Sequence, residues 1–571
     1  MRHIKTIILF VSLCSFANMK AQLSTNEKPV SFGRESEMRV KHRSENPIIT
    51  MPQLDMVKIT EEDKDTKERK APPRFGYKHK VNYNLNNSGV WHELPNGDKL
   101  WQLNIVCPEA MSVNFCYDKF WLPEGGKFFV YSKDKKQYYG AFTSRNNKGA
   151  KEHLRGFATG LIYGSDVVLE YFQPKEVTTD AIISIDYIVH GYKSTRNEEY
   201  GFNHSGSCMV NVNCDEGYNW KTEKKAIARI IWDGNYYCSG SLINTTDFSG
   251  KPFFLTADHC VKYVSKDAIL DSIFDYSVFY WNYEMPSCAG DTIEPPHYST
   301  SGAIILANNY MADFALLRLE EDPRDLSNYI PCYLGWDNSG HAGGAGVCIH
   351  HPKGDVKKIS TVDTEIGAIS TYYYGYAEHL SADHWKVIWQ TTDNGHGTAE
   401  QGSSGSPLLS AEHKVIGQLH GGYSNCGLDI NEPDWFGKFS VSWTGNNMNN
   451  IHRRLDCWLD SLNTGGQTIE GMLLVSTTRT ITENENLYGL IRVTGTGHLT
   501  IQSNIEFMSN SPMIVEAGGK LTIDGGKLSN AEILLKPGAT LRVLNGGTIE
   551  SRNGLKAPIG AIVEILHGKI S

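Results

Sequence analysis

The apolar run Ile7–Phe16 is too short to span a bilayer and the chain has no other candidate, so no stable membrane span is expected. It has no strong charge of one sign either. A formal net charge of −9 over 571 residues gives no reason to expect a nucleic-acid partner. No cluster of His, Cys, Asp and Glu stands at ligand spacing. His350 and His351 are adjacent but have no acidic or cysteine partner nearby, so neither metal nor cofactor is expected. Cysteine is missing from whole regions: of 12 in all, none follows Cys457.

What is present begins with Arg2, His3 and Lys5 ahead of the apolar run, which ends near Ala17 and Ala21. That order predicts a signal peptide over 1–21 and a secreted protein, extracellular, at the cell surface or in the periplasm. Export agrees with the cysteines, eight of which lie between Cys208 and Cys426. Cys107 and Cys116 are close enough to clip one hairpin.

Texture divides the chain further. Residues 22–75 are polar and charged and read as flexible. Residues 76–200 hold short β-rich runs, such as Leu100–Val106 and Val167–Phe172, separated by turn pairs such as Asn96-Gly97; this predicts a β-sandwich. Residues 203–468 carry the densest aromatics and cysteines, with a closing helix expected over Asn449–Leu462. From 475 to 571 a phrase built on Leu499, Leu521, Leu541 and Val563 recurs at spacings of 22, 20 and 22. Apolar alternation with glycine turns at that period predicts stacked rungs of a β-solenoid, with a meander of hairpins as the alternative. A surface or polymer is the partner such repeats would suit.

Three phrases carry chemistry. Gly402-Ser403-Ser404-Gly405-Ser406-Pro407 would expose the Ser404 hydroxyl on a tight turn and aim the N–H groups of Gly402 and Ser404 at one point, an oxyanion hole. Phe254-Leu-Thr-Ala-Asp258-His259-Cys260 runs an apolar strand into a histidine, and a Cys238–Cys260 bridge would pin that turn. Asp313-Phe314-Ala-Leu-Leu-Arg-Leu319 starts a strand with an acid that needs a partner once buried. Nucleophile, base and orienting acid are the three parts of serine-based acyl transfer. Their order His259, Asp313, Ser404 resembles the trypsin-like family, implying an all-β double barrel.

Over about 205–470 the chain is similar to the bacterial lysyl endopeptidases. Shared phrases include Cys214-Asp-Glu-Gly217, Tyr280-Trp-Asn-Tyr283, Ile349-His-His-Pro352, Gly417-Gln-Leu-His-Gly-Gly422 and Ser442-Trp-Thr-Gly445. The resemblance implies a serine endopeptidase acting on protein or peptide substrates. It implies disulfides Cys208–Cys426, Cys214–Cys288 and Cys238–Cys260; a further Cys332–Cys348 bridge is expected, with Cys457 a buried free thiol in the closing helix. Thr398 stands where trypsins carry their specificity acid. The resemblance places that acid instead at Asp434, in Asp434-Trp-Phe-Gly437, for a P1 lysine, with arginine as the alternative. It sets Trp389 and His420 beside the catalytic histidine. Some glutamyl-specific relatives use a histidine near His420 for P1 glutamate. Ser403 replaces the acid of N-terminal activation, so residues 22–200 are expected to act as a propeptide, with the mature chain starting near Asn203 after self-cleavage at Lys193 or Arg196. A binding protein on an inactive protease scaffold is the rival reading.

Overall fold

The computed structural model describes residues 27–33, 48–68, 72–193, 201–262, 274–290, 293–326, 329–363, 366–368, 371–374, 377–380, 383–508 and 511–571. The signal-peptide reading of 1–21 and the basic residue Arg196 lie outside them.

The first β-rich region packs two sheets face to face. One orders Ile48–Thr50, Lys99–Val106, Asp166–Gln173, Lys127–Ser132 and Tyr138–Phe142; the other pairs Gly76–Asn84 with Ile182–Gly191 and Ser112–Trp121. Their inward residues, Leu103, Ile105, Phe115, Tyr117, Phe128 and Leu169 among them, form one core. The stretch read as flexible is structured where described. Ile48–Thr50 joins the sheet parallel to Asn104–Val106, and Met56–Glu68 is a helix whose Glu62 and Asp63 hold Arg74. Phe32 packs on Tyr131. Low hydrophobicity concealed this because each piece borrows its partner from the sandwich.

The central region is built from two predominantly antiparallel sheets, the architecture of a trypsin-like double β-barrel. The first orders Tyr298–Ser301, Val278–Trp281, Ile227–Trp232, Tyr236–Leu242, Phe253–Thr256, Phe314–Leu319 and Ala303–Asn309. Ile227–Trp232 is buried throughout rather than alternating. One face carries Ala228, Ile230 and Trp232 into the barrel core, while Ile231 on the other packs with Phe75, Ala158 and Leu161 of the sandwich. A strand covered on both faces has no reason to alternate. The second sheet runs Lys358–Val362, Gly346–His350, Pro407–Ser410, Lys414–Gly422, Asp434–Lys438 and His384–Val387.

Three disulfides are present: Cys208–Cys426, Cys214–Cys288 and Cys238–Cys260. The other two expected bridges are not. Cys107 and Cys116 are free and buried, because they lie on the two different sheets of the sandwich: Cys107 joins the core, while Cys116 faces Gly234 of the barrel. Cys332 and Cys348 are likewise free, each embedded in a different apolar cluster. The closing helix shrinks to Ile451–Arg453 (3-10) and Asp456–Leu459 (α), and Cys457 is exposed rather than buried. Arg454 between them is extended and pairs with Asp456, which breaks the helix.

The C-terminal repeats form a parallel β-solenoid. His498–Ile501 pairs in register with Lys520–Ile523, which pairs with Thr540–Val543, which pairs with Ile562–Ile565. Leu499, Leu521 and Leu541 stack inward, fully buried; in the last rung Val563 and Ile565 are 38% and 48% exposed. Arg479 docks the solenoid on the barrels through the carbonyls of Leu326 and Tyr329.

Candidate functional site

The site lies on the seam between the two sheets, where two turns meet. Phe253–Thr256 ends in the short helix Asp258–Lys262, which carries His259. Ser404 sits between Gly402 and Gly405, both in left-handed backbone at φ 95° and 82°. Gly405 could not carry a side chain: a Cβ there would lie 2.2 Å from Thr256 Oγ1 and 2.7 Å from the Ala257 nitrogen. Its bareness seats the serine turn against the histidine turn. Two further ties fix it: Ser239 N–H donates to the Ser404 carbonyl at 2.9 Å, and Ser239 Oγ donates to the Gly402 carbonyl at 2.8 Å. Ser239 follows Cys238, whose disulfide reaches Cys260 beside His259. Among the described hydrogen bonds, the N–H groups of Gly402 and Ser404 donate to no protein acceptor. They therefore remain available to an oxyanion.

Asp313 is buried, with its backbone at φ 54°. This left-handed region disfavours most side chains, though aspartate tolerates it better than most. The conformation aims both carboxylate oxygens at the histidine turn: the His259 N–H donates to Oδ1 at 2.9 Å and His259 Nδ1 meets Oδ2 at 2.7 Å. The second sheet secures the position, since Gln418 Nε2 donates to the Ala312 carbonyl at 2.6 Å. Gly437 lets that carbonyl approach; a Cβ there would stand 1.7 Å from it. Burial lowers the proton affinity of His259, but the charge and hydrogen bond of Asp313, aided by Asp258, outweigh it and raise the imidazole above its ordinary value. Asp313 itself is lowered: burial opposes ionisation, and the His259 and His420 charges win.

His420 stands beside His259 with ring centroids 5.9 Å apart and planes 26° from parallel. Its Nε2 faces Asp313 Oδ2 at 3.8 Å. Trp389 is placed differently. Its Nε1–H donates to Asp434 Oδ2 at 2.6 Å, and its ring packs edge-on against Phe436.

Asp434 lies at the start of Asp434–Lys438, opposite Gly422 and wholly buried. Four neutral donors converge on it: Trp389 Nε1, Ser424 Oγ at 2.5 Å, and the N–H groups of Ser424 and Ala399, both at 3.3 Å. Ala399 precedes the serine turn and Gly422 comes shortly after His420, so the carboxylate ties together the segments that carry Ser404 and His420. Burial pushes its pKa up to about 6, against the four hydrogen bonds.

Several participants were not legible beforehand. Ser424 and His384 carry no motif, and only spatial proximity reveals them. Asp258, which precedes His259, accepts from Asn308 Nδ2 at 2.6 Å and adds to the field on His259. Ser403 Oγ pairs with His350 Nδ1 at 2.7 Å, a neutral pairing, since burial lowers that imidazole to about 3.

A serine turn, a histidine and a buried aspartate at the junction of two β-barrels place the region in the trypsin-like fold class. The likeness narrows on comparison with known proteins: residues 202–437 match the family model for the lysyl endopeptidase C-terminal domain. The lysyl endopeptidase of Pseudomonas aeruginosa is 29% identical over 311 residues, half of this chain and 61% of that protein. The chain therefore spans about three fifths of that relative's length. Among solved structures, an inactive form of the Rv3671c protease aligns at 18% identity and a TM-score of 0.25, over 38% of this chain and 84% of that one. A Glu endopeptidase aligns at 16% and 0.23, over 42% and 92%.

Proposed function

We propose that the chain is a serine endopeptidase cutting after basic residues, lysine foremost, with His259, Asp313 and Ser404 as its catalytic residues. The observation that carries this is the 2.7 Å His259–Asp313 contact beside a serine turn with two uncommitted N–H groups. His259 takes the Ser404 proton as the hydroxyl attacks the scissile carbonyl. Asp313 holds the ring in the required tautomer and stabilises its cation, and the Gly402 and Ser404 N–H groups receive the oxyanion. The same imidazolium returns its proton to the leaving amine, and water repeats the cycle on the acyl-enzyme.

Asp434 offers a buried negative end to the P1 side chain. A compact ammonium suits a carboxylate already ringed by four donors better than a fork that needs two free lone-pair directions. A P1 glutamate would meet that carboxylate, while His420 has its Nε2 facing Asp313 Oδ2 at 3.8 Å.

The same reading takes residues 22–200 as a propeptide of an exported enzyme. Its support is the pairing of Pro73–Phe75 along Asn235–Tyr237: Tyr237 N–H donates to the Pro73 carbonyl at 3.1 Å, and Phe75 N–H to the Asn235 carbonyl at 3.0 Å. Tyr237 is two residues from Ser239, which holds Ser404, so the segment pairs with the same strand that anchors the serine turn. Cutting at Lys193 or Arg196, with a mature start near Asn203, completes this scheme. The test is P1 profiling with a peptide library alongside fluorophosphonate labelling. Labelling at Ser404 with cuts after lysine is expected. Cuts after acidic or aromatic residues would remove the role of Asp434, and absent labelling would leave a binding scaffold. A secreted N-terminus well inside 76–190 would remove the propeptide scheme.

A further inference from the structure

His384, on the strand His384–Val387, is fully buried and lies two strands from His420. Between them runs Asp434–Lys438, and the residue opposite His384 is Gly437. No side chain intervenes there. His420 falls where the pairing of Lys414–Gly422 shifts by one residue, between Leu419 and Gly421. This bulge re-aims its ring. The two imidazoles meet, His384 Nε2 to His420 Nδ1, at 3.0 Å.

The hydrogen positions follow from the outer end of the chain. Asp383 Oδ1 stands 3.2 Å from His384 Nδ1, and a carboxylate can only accept, so that nitrogen carries the hydrogen. His384 Nε2 is then a lone pair, and His420 Nδ1–H must donate to it. The remaining nitrogen, His420 Nε2, faces Asp313 Oδ2 at 3.8 Å, the same oxygen that pairs with His259 Nδ1. In the neutral ring that nitrogen has no hydrogen to offer Asp313.

Building on the endopeptidase reading above, we propose that His384, anchored on Asp383, is a positioning residue that locks His420 in the Nδ1–H tautomer and thereby reserves the charge of Asp313 for His259. In the opposite tautomer His420 would donate Nε2–H to Asp313, share its negative charge and weaken the acid that His259 needs as it accepts the serine proton. Both histidines are buried, which disfavours water as a substitute partner for His420 Nδ1. His384 touches neither Asp313 nor Ser404 in any described contact, so its influence passes through His420.

The test compares the full chain, labelled with 15N-histidine, with its His384→Gln and His384→Leu variants. Glutamine can donate its amide to Asp383 and offer its carbonyl to His420 Nδ1; leucine can do neither. The wild type and the glutamine variant are expected to show His420 protonated at Nδ1. The leucine variant should show Nε2–H and lose on the order of tenfold in kcat with KM unchanged, at matched thermal stability. An Nε2–H signal for His420 in the wild type would overturn the proposal. So would a leucine variant with unchanged kcat, or equal losses in both variants, which would mark the site as mere packing. An inactive wild type would instead sink the endopeptidase reading, while the 15N signals would still decide the tautomer.

Discussion

Two of the carboxylates buried within the candidate site are driven in opposite directions. Asp313 is ringed by groups that can carry positive charge, His259 and His420, and is held below its ordinary value. Asp434 is ringed by neutral donors, an indole, a hydroxyl and two amides, and burial lifts it to about 6. Burial is the same for both; what differs is whether the partners bring charge or only dipoles. One acid is thereby biased toward its ionised form beside a histidine. The other is left partly uncompensated, and a cation arriving from outside would complete it.

That contrast is broken most severely at Asp313. Asp313→Asn is expected to lower kcat by roughly 10⁴-fold, because the amide places its N–H where His259 Nδ1–H must donate and selects the wrong tautomer. Single-turnover kinetics on a lysyl ester checks it; a loss below about tenfold would mean that Asp313 does not orient His259. A smaller loss is expected at the other acid. Asp434→Asn should reduce kcat/KM for lysyl substrates by about 10²-fold or more, since truncating one partner of a buried charge pair costs about 2–5 kcal/mol. Cleavage of a neutral P1 peptide should change little, and a parallel fall there would show that the substitution disturbs the serine turn instead.

The sharpest comparison uses pH. Because the Asp434 pKa is raised, protons neutralise it as pH falls through about 6, so the proposed affinity for a P1 lysine should be present above that range and lost below it. KM for lysyl peptides should therefore rise as pH falls through that range, with no such inflection in Asp434→Asn. Trp389→Phe removes one donor from the carboxylate and should move the inflection upward, with KM at neutral pH increasing only a few-fold. A downward shift would refute the assignment of Trp389 to that acid.

Legibility followed the length scale of the interactions. His259, Asp313 and Ser404 each sit in a local phrase, and the rungs of the solenoid repeat at a period that reads directly from the chain. Cys332 and Cys348 misled because adjacency in a strand pattern says nothing about which core each thiol enters. The short helix at Asp456–Leu459 was overestimated because the Arg454–Asp456 pair is an event of side chains rather than of propensity. Ser424 and His384 had no signal at all: their roles exist only once strands distant in the chain are paired. The polar stretch before Arg74 misled in the same way, since its helix and strand find their partners in the sandwich.

By itself the sequence determined the three chemical groups, their chain order, the glycines that bare Ser404, and the register of the stacked repeats. Each of these depends on neighbours within a few residues or on strict repetition. The tertiary structure decided the electrostatics: which acid meets imidazoles, which meets only dipoles, and which histidine stands behind another. Charge interactions in a buried site depend on distance and desolvation, and both are properties of the packed fold rather than of the chain.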